Sequence, residues 1–240
     1  MLYNLQKPII FAHRGASADA PENTLAAFEL ALQQGANAIE LDVKLSADNV
    51  PVVIHDSTVD RTTDGSGAVA NLSLSALKEL DAGDGQKIPT LDEVFESLGG
   101  KLFINIELTN YSTRDDQLVE KVVEIVKKHN LSQGIIFSSF LPKNLKVAGK
   151  LLPEVPRGLL AQPNFLGWFM RNILFRIGDF QALHPQLNNC SKRTIENTHG
   201  IERQIYAWTI NEAEDMRRVA DWGIDGIFTD DVQLAVKVLR

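Results

Sequence analysis

The chain has 240 residues, of which 44% are hydrophobic and 23% charged, so it supplies enough apolar surface for a sizeable core and is not globally disordered. Its 24 Lys and Arg against 31 Asp and Glu leave a net charge of -7, which excludes nucleic acid as a partner because no basic stripe offsets it. The single cysteine, Cys190, excludes an intrachain disulfide and fits a reducing, cytoplasmic setting.

Met1 to Lys7 lacks the basic-then-apolar layout of a signal peptide, and no apolar run reaches the roughly 20 residues of a membrane span, so the sequence reads as that of a soluble protein. From there, short β-branched or apolar runs alternate with amphipathic stretches. The predicted strands are Ile9–Ala12, Ala38–Val43, Leu102–Leu108, Gly134–Ser138, Arg157–Ala161, Phe180–His184, Gln204–Thr209 and Gly226–Phe228. Eight such βα rounds predict an α/β fold, a (β/α)8 TIM barrel, for which a chain of about 250 residues is usual.

Between the strands, Asp116 to His129 repeats Leu118, Val122, Ile125 and Val126 at helical spacing. Thr90 with Glu93 and Asn211 with Glu214 match capping boxes, and Asp231 is placed to open the final helix. One connection breaks the rhythm: Lys44 to Thr90 far exceeds the usual loop of about 2 to 6 residues. We read residues 44–90 as a small insertion after the second strand, within a single domain spanning 1–240. It carries an extended stretch Val50–Ile54, a turn at Gly65 and Gly67 and a short helix Ser75–Leu80, and it should cap the C-terminal mouth of the barrel. A further segment, Phe165 to Ile177, is rich in large apolar groups and is read as the fifth barrel helix and its loop, packed on the barrel; the other reading is an exposed patch for an acyl chain, a membrane surface or a partner subunit.

The strand ends carry the polar residues. His13-Arg14-Gly15 ends the first strand, Glu40 and Asp42 lie on the second and Asn105 and Glu107 on the third. Glu40 and Asp42 are two apart and so share a face. Three carboxylates meeting in a barrel mouth repel one another unless a cation neutralises them, and an all-oxygen set favours Mg2+, Ca2+ or Mn2+ over zinc. The competing reading pairs these carboxylates with Arg14 or Lys44. His13 and His55 each follow an extended run, where two imidazoles can exchange the roles of general base and general acid or serve as hydrogen-bonded structural groups. Arg14 presents a fork of donors suited to phosphate, or a rim salt bridge to Glu40 or Asp42.

Together these residues form a recognisable set. His13-Arg14-Gly15, Pro21-Glu22-Asn23-Thr24, Ile39-Glu40-Leu41-Asp42-Val43, His55-Asp56, Pro89-Thr90-Leu91, Asn105-Ile106-Glu107, Trp208-Thr209-Ile210-Asn211 and Asp225-Gly226-Ile227-Phe228-Thr229-Asp230 occur in order over nearly the whole chain. The set resembles the glycerophosphodiester phosphodiesterase family. That resemblance implies metal-dependent hydrolysis of a small glycerophosphodiester to sn-glycerol 3-phosphate and an alcohol. It also implies Glu40, Asp42 and Glu107 as holders of one divalent cation, His13 and His55 as the acid-base pair, and Trp208 as a wall for the glycerol or alcohol. His55 could instead complete the metal shell, and Trp208 could be barrel packing.

One departure is visible: many relatives carry lysine two residues after the third-strand glutamate, where this chain has Thr109. A phosphate-facing cation is thereby expected to be missing, so that either the metal and Arg14 suffice or substrate preference and rate differ; the other reading of Thr109 is a structural hydroxyl. Asn211 is read as a helix cap, and Asp230, Asp231 and His184 as rim groups or as groups that support the site's lining residues from behind. Two other functions stay open at this point, a lysophospholipase D-like activity on lipid-bearing diesters and a noncatalytic phosphoester-binding barrel.

Overall fold

The structure is a computed structural model that describes residues 5–240; Met1–Asn4, part of the leader reading above, lie outside the described residues. Nine strands form one sheet: β1 Ile9–His13, β2 Ala38–Leu45, β3 Pro51–Val53, β4 Phe103–Leu108, β5 Ile135–Ser139, β6 Arg157–Ala161, β7 Ala182–Pro185, β8 Gln204–Ala207 and β9 Gly226–Thr229. All but β3 pair in parallel, and β1 bonds to both β2 and β9, which closes the eight parallel strands into a ring. The helices are α1 Leu25–Gln33, α2 Leu74–Glu79, α3 Leu91–Leu98, α4 Leu118–His129, α5 Pro142–Leu151, α6 Phe165–Phe169, α7 Phe175–Ile177, α8 Lys192–His199, α9 Ala213–Asp221 and α10 Val232–Leu239. The fold is a TIM barrel. No helix among the described residues is long and apolar enough to cross a membrane.

The strand period of two sorts side chains into two cores. Outward residues such as Ile10, Ile39, Leu41, Ile104 and Ile106 pack under the helices. Inward residues Ile9, Phe11, Ala38, Phe103, Ile136, Ala182, Tyr206 and Phe228 fill the lower barrel, where Phe11 stacks on Phe228 at 4.7 Å and tilts against Tyr206 at 5.1 Å. The inward set changes character along each strand: Phe11 gives way to His13, Ala38 to Glu40 and Asp42, and Phe103 to Asn105 and Glu107. An apolar plug therefore floors a polar mouth.

The caps show where local signals suffice. Thr90 and Glu93 form a complete capping box at α3, and Asp231 accepts from the Leu234 amide at the start of α10. Asn211 does not cap α9, whose preceding residue Glu212 makes no side-chain cap bond. Asn211 is drawn instead to Asp230, donating from Nδ2 to its Oδ2 at 2.6 Å and accepting from its amide at 2.9 Å. After β2 the chain turns back through β3, antiparallel to β2, and Val52, Ile54, Val59, Val69, Leu77, Ala82 and Ile88 form a small core of their own.

The packing reading of Phe165–Ile177 holds for one face only, where Met170, Leu174 and Phe175 pack against the core, and is corrected for the rest. α6, a π-helical turn Met170–Leu174 and α7 run on from one another, but among their large apolar side chains only Phe175 is buried. Phe165 is 83% and Ile177 78% exposed, and Leu166, Trp168, Phe169 and Ile173 also face solvent.

Candidate active site

The mouth begins at a turn that only a glycine permits. Arg14 has φ 59° and Gly15 φ 85°, and a Cβ on Gly15 would lie 2.7 Å from the carbonyl carbon of Ala27. This reversal keeps the Arg14 amide against Glu40, donating to its Oε2 at 3.0 Å. The Arg14 side chain donates to Glu22 at 3.0 Å, and its Nε stands 3.5 Å from Asp42. Burial works against the guanidinium's charge, yet Asp42, Glu40 and Glu22 outweigh it and raise its pKa. Both sequence readings of Arg14 hold at once: it is a rim ion pair and it lines the cavity.

Register places the carboxylates. Glu40 pairs with Asn105 and Asp42 with Glu107 across β2 and β4, so four inward polar groups form two adjacent layers. Ligand oxygens of Glu40, Asp42 and Glu107 all lie within 4.8 Å of one another, a group that could hold a metal ion. Asp42 accepts from Asn23 Nδ2 at 3.0 Å, and Glu107 accepts from Tyr111 Oη at 2.7 Å. Burial first, then the charges of Asp42 and Glu107, push Glu40 well above the carboxylate range. Burial and the Asp42 charge push Glu107 up to about 8. Glu40 Oε1 and Asn105 Oδ1 are buried without a hydrogen-bond partner. Crowded carboxylates and unused oxygen acceptors in one place fit a hard divalent cation, which takes oxygen ligands and cancels the repulsion.

Each imidazole is held through Nδ1 by a carboxylate. His13 pairs with Asp230 Oδ1 at 2.7 Å, and Asp230 is also held by Ser17 and Asn211. Burial opposes ionisation of Asp230, but these hydrogen bonds, led by His13, bring it down to about 2. An ionised partner fixes Nδ1 as the protonated nitrogen and leaves Nε2 for proton transfer. His55 pairs with Asp56 at 2.6 Å, and Arg61 joins Asp56 to Glu22 with bonds of 2.6 to 2.8 Å. Hydrogen bonding to Arg61 holds Asp56 well below the usual carboxylate range. Through Glu22 this network meets Arg14, so the segment after β3 is tied to the turn after β1.

One cavity brings together His13, Arg14, Glu40, Asp42, His55, Asn105, Glu107 and Trp208. Every residue singled out above as catalytic, cation-holding or substrate-facing lies on its wall. Trp208 donates from Nε1 to the His184 carbonyl at 2.8 Å and meets Phe140 edge-on at 5.7 Å, which stands its ring at the rim. Of the two readings of His184 the supporting one fits its place: it is wholly buried among Tyr206 and Phe228 and lines the cavity floor, and burial pushes it down to about 3, which keeps it neutral. Gly158 makes its room, because a Cβ there would lie 2.3 Å from His184 Nε2.

Sequence reasoning did not find the support. Tyr111 carried no local signal, while Asn23 and Asp230 stood only within the runs Pro21–Thr24 and Asp225–Asp230, with nothing to tie them to Asp42 and His13. Replacing Asp230 with Asn is expected to lower kcat about tenfold to a hundredfold with little change in KM, by releasing the His13 tautomer. Steady-state kinetics and the acid limb of the pH profile check this, and an unchanged profile would detach Asp230 from His13.

The position of Thr109 also has an unforeseen occupant. Lys44 lies on the same face of β2 as Asp42, and its Nζ donates to the Thr109 carbonyl at 2.9 Å and hydroxyl at 2.7 Å. An ammonium absent from β4 is thus delivered from β2, next to the acidic cluster. Lys44→Met is expected to tighten divalent-cation binding several-fold and raise KM for an anionic diester several-fold, because one buried positive charge repels the first and attracts the second. Calorimetric titration and kinetics read the two effects separately; parallel changes in both would contradict this role.

Residues 13–234 match the model of the glycerophosphoryl diester phosphodiesterase family. A glycerophosphodiester phosphodiesterase of Caldanaerobacter subterraneus is 39% identical over 98% of both chains, and glycerophosphodiester phosphodiesterase 1 of Bos taurus is 32% identical over 85% of this chain and 72% of its own. Among solved structures, an Oleispira antarctica phosphodiesterase in complex with the product sn-glycerol-3-phosphate superposes with a TM-score of 0.86 at 32% identity, over 97% of this chain and 96% of its own. A glycerophosphodiester phosphodiesterase of Thermotoga maritima superposes with a TM-score of 0.79 at 33% identity, over 98% and 100%. With the barrel, its acidic cluster and its paired imidazoles described, these likenesses identify the chain as a member of the glycerophosphoryl diester phosphodiesterase family, a family of hydrolytic enzymes.

Proposed function

We propose that the chain hydrolyses small glycerophosphodiesters to sn-glycerol 3-phosphate and an alcohol, with His13 and His55 as the acid-base pair and Glu40, Asp42 and Glu107 holding one Mg2+, Ca2+ or Mn2+ ion. The observation that carries this reading is the convergence of two carboxylate-anchored imidazoles and three carboxylates on one small cavity. The product named in the Oleispira complex supports the choice of substrate. We read the chain as one barrel domain in which residues 44–90 are an inserted subdomain.

When bound, the cation supplies Lewis-acid polarisation of a phosphoryl oxygen. The protein's residues do the rest. Arg14 holds a nonbridging oxygen and orients the diester. One imidazole takes the proton of the glycerol hydroxyl beside the phosphate, that hydroxyl closes on phosphorus, and the other imidazole protonates the departing alcohol. Water then opens the cyclic phosphate with the two rings in exchanged roles. Asp230 and Asp56 keep each ring in the tautomer that this exchange requires. Trp208 and Phe140 wall the glycerol and limit the access of bulk water.

Phosphorus NMR of glycerophosphocholine incubated with the protein tests this reading. Glycerol 3-phosphate should appear with Mg2+, Ca2+ or Mn2+ and cease on chelation; absence of product, or turnover indifferent to chelator, overturns it. A substrate lacking the neighbouring hydroxyl should be cleaved far more slowly, and equal rates would require direct attack by water.

A further inference from the structure

His55 and Arg14 stand on different elements and are joined by a residue that does not itself line the cavity. Arg61 donates from Nε to Asp56 Oδ2 at 2.6 Å and from Nη2 to Asp56 Oδ1 at 3.2 Å. The same guanidinium donates from Nη1 to Glu22 Oε2 at 2.8 Å and from Nη2 to Glu22 Oε1 at 2.7 Å. Asp56 Oδ1 also pairs with His55 Nδ1 at 2.6 Å, and Glu22 Oε1 also accepts from Arg14 at 3.0 Å. One planar fork thus grips two carboxylates, and each carboxylate grips a group that faces the cavity.

Both sides of the fork are anchored without it. Val59 is buried in the small core of the segment after β3, and the Thr63 amide donates to the Val59 carbonyl at 3.1 Å, a turn that brings Arg61 back to Asp56. On the other side, Glu22 precedes Asn23, whose amide donates to the Arg14 carbonyl at 2.9 Å, and Thr24, whose hydroxyl caps α1. Arg61 is 48% exposed, and exposed ion pairs contribute little to stability. What two bidentate pairs supply instead is orientation, because a planar fork fixes angle as well as distance. Burial works against the charge of Glu22, but Arg61 and then Arg14 hold its pKa below the ordinary value, so it stays a firm acceptor between them. The other imidazole has no such clamp: beyond His13, Asp230 is held by the neutral side chains of Ser17 and Asn211.

We infer that Arg61 is a positioning residue that locks the His55 ring and the Arg14 guanidinium into one geometry, so that proton transfer and phosphate contact are set together. The inference rests on the hydrolysis proposed above. Without the fork, Asp56 turns away from Nδ1 and the His55 ring loses its fixed tautomer, which lowers kcat. Glu22 then holds Arg14 alone, and the looser guanidinium raises KM.

The test is Arg61→Gln in the metal-loaded protein. On glycerophosphocholine, kcat should fall about thirtyfold and KM rise about fivefold. The Tm should move by less than about 3 °C, as expected for an exposed pair. In an Asp56→Asn background the same change should cost less than about threefold in kcat, since the carboxylate that Arg61 orients is gone. Guanidinium ion added to Arg61→Ala should restore at least about tenfold in kcat/KM, and ammonium ion should not, because only the fork reaches both carboxylates. Kinetics within about threefold of the unaltered protein, an undiminished loss beside Asp56→Asn, or a loss that tracks a collapse in Tm overturns the inference.

Nitrogen NMR of the rings, at a pH where both are neutral, reads the positioning without turnover. His55 should carry its proton on Nδ1 in the unaltered protein and exchange between tautomers in Arg61→Gln, while His13 stays protonated on Nδ1 in both. An unchanged His55 overturns the inference whatever the activity. A change confined to His55, in a protein that releases no glycerol 3-phosphate, keeps the role of Arg61 and removes the hydrolysis.

Discussion

His13→Gln is expected to lower kcat on glycerophosphocholine by about a thousandfold while KM changes less than about threefold, within the range that general acid-base groups contribute. Glutamine can keep a hydrogen bond to Asp230 but cannot carry the proton. The sign of the effect separates proton transfer from packing: His13 is only partly buried, so its replacement costs little stability. The pH profile of kcat/KM should also lose one limb, because a single titrating ring would remain. Turnover within tenfold of the unaltered protein at every pH would show that His13 is a structural group and that the acid-base role lies elsewhere.

The second large effect concerns the acidic cluster and its dependence on pH. In protein without cation, Glu107 is raised from an ordinary 4.5 to about 8, by burial first and then by Asp42, and Glu40 is raised as well. A carboxyl whose folded pKa is raised favours folding while it is protonated. That contribution is complete below the unfolded pKa of about 4 and is lost as pH climbs through the folded value. Chelated protein should therefore lose Tm progressively from pH ~4.5, where the unfolded carboxyl ionises, to pH ~8, where the folded one does. Divalent cation should restore it, and the restoration should grow with pH because the ion competes with protons for the same oxygens.

Asp42→Asn removes the charge that raises both neighbours. It should flatten the pH slope of the chelated protein and raise its Tm at pH ~9, while abolishing most of the cation-induced shift and lowering turnover at least about a thousandfold. Thermal unfolding across that pH range, with and without Mg2+ or Ca2+, reads all three. A chelated protein whose Tm is independent of pH, or an Asn variant that still gains the full cation shift, would remove the carboxylates from cation binding. A gain in metal-free stability joined to a loss of activity is the signature of like charges held together for function rather than for folding.

Much of this geometry was legible in the residues themselves. Alternation of strand and helix patterns named every barrel strand to within a few residues, because inward and outward positions of a buried parallel strand are set by its period of two. The same period put Glu40 beside Asp42 and both on the inward face. Local chemistry also announced the caps at Thr90 and Asp231, whose partners lie three residues away. Asn211 satisfied the same local rule and failed it, since a stronger partner, Asp230, arrived from the neighbouring strand. Thr109 likewise read as the loss of a cation until Lys44 was seen to reach it across the β2–β4 pairing.

The division is physical. By itself the sequence determined which residues repeat with a strand's or a helix's period, where chains of apolar side chains stop and charged ones begin, and hence a barrel with a polar mouth. Closure of the ring decided the remainder, because it sets side chains separated by 217 positions, as His13 and Asp230 are, at 2.7 Å. It also decided which apolar run stays outside: Phe165–Ile177 has the composition of a core segment, but lies at the rim beside a groove with no strand or helix left to cover it. Periodicity is a property of neighbours along the chain, whereas register, burial and the meeting of charges belong to neighbours in space.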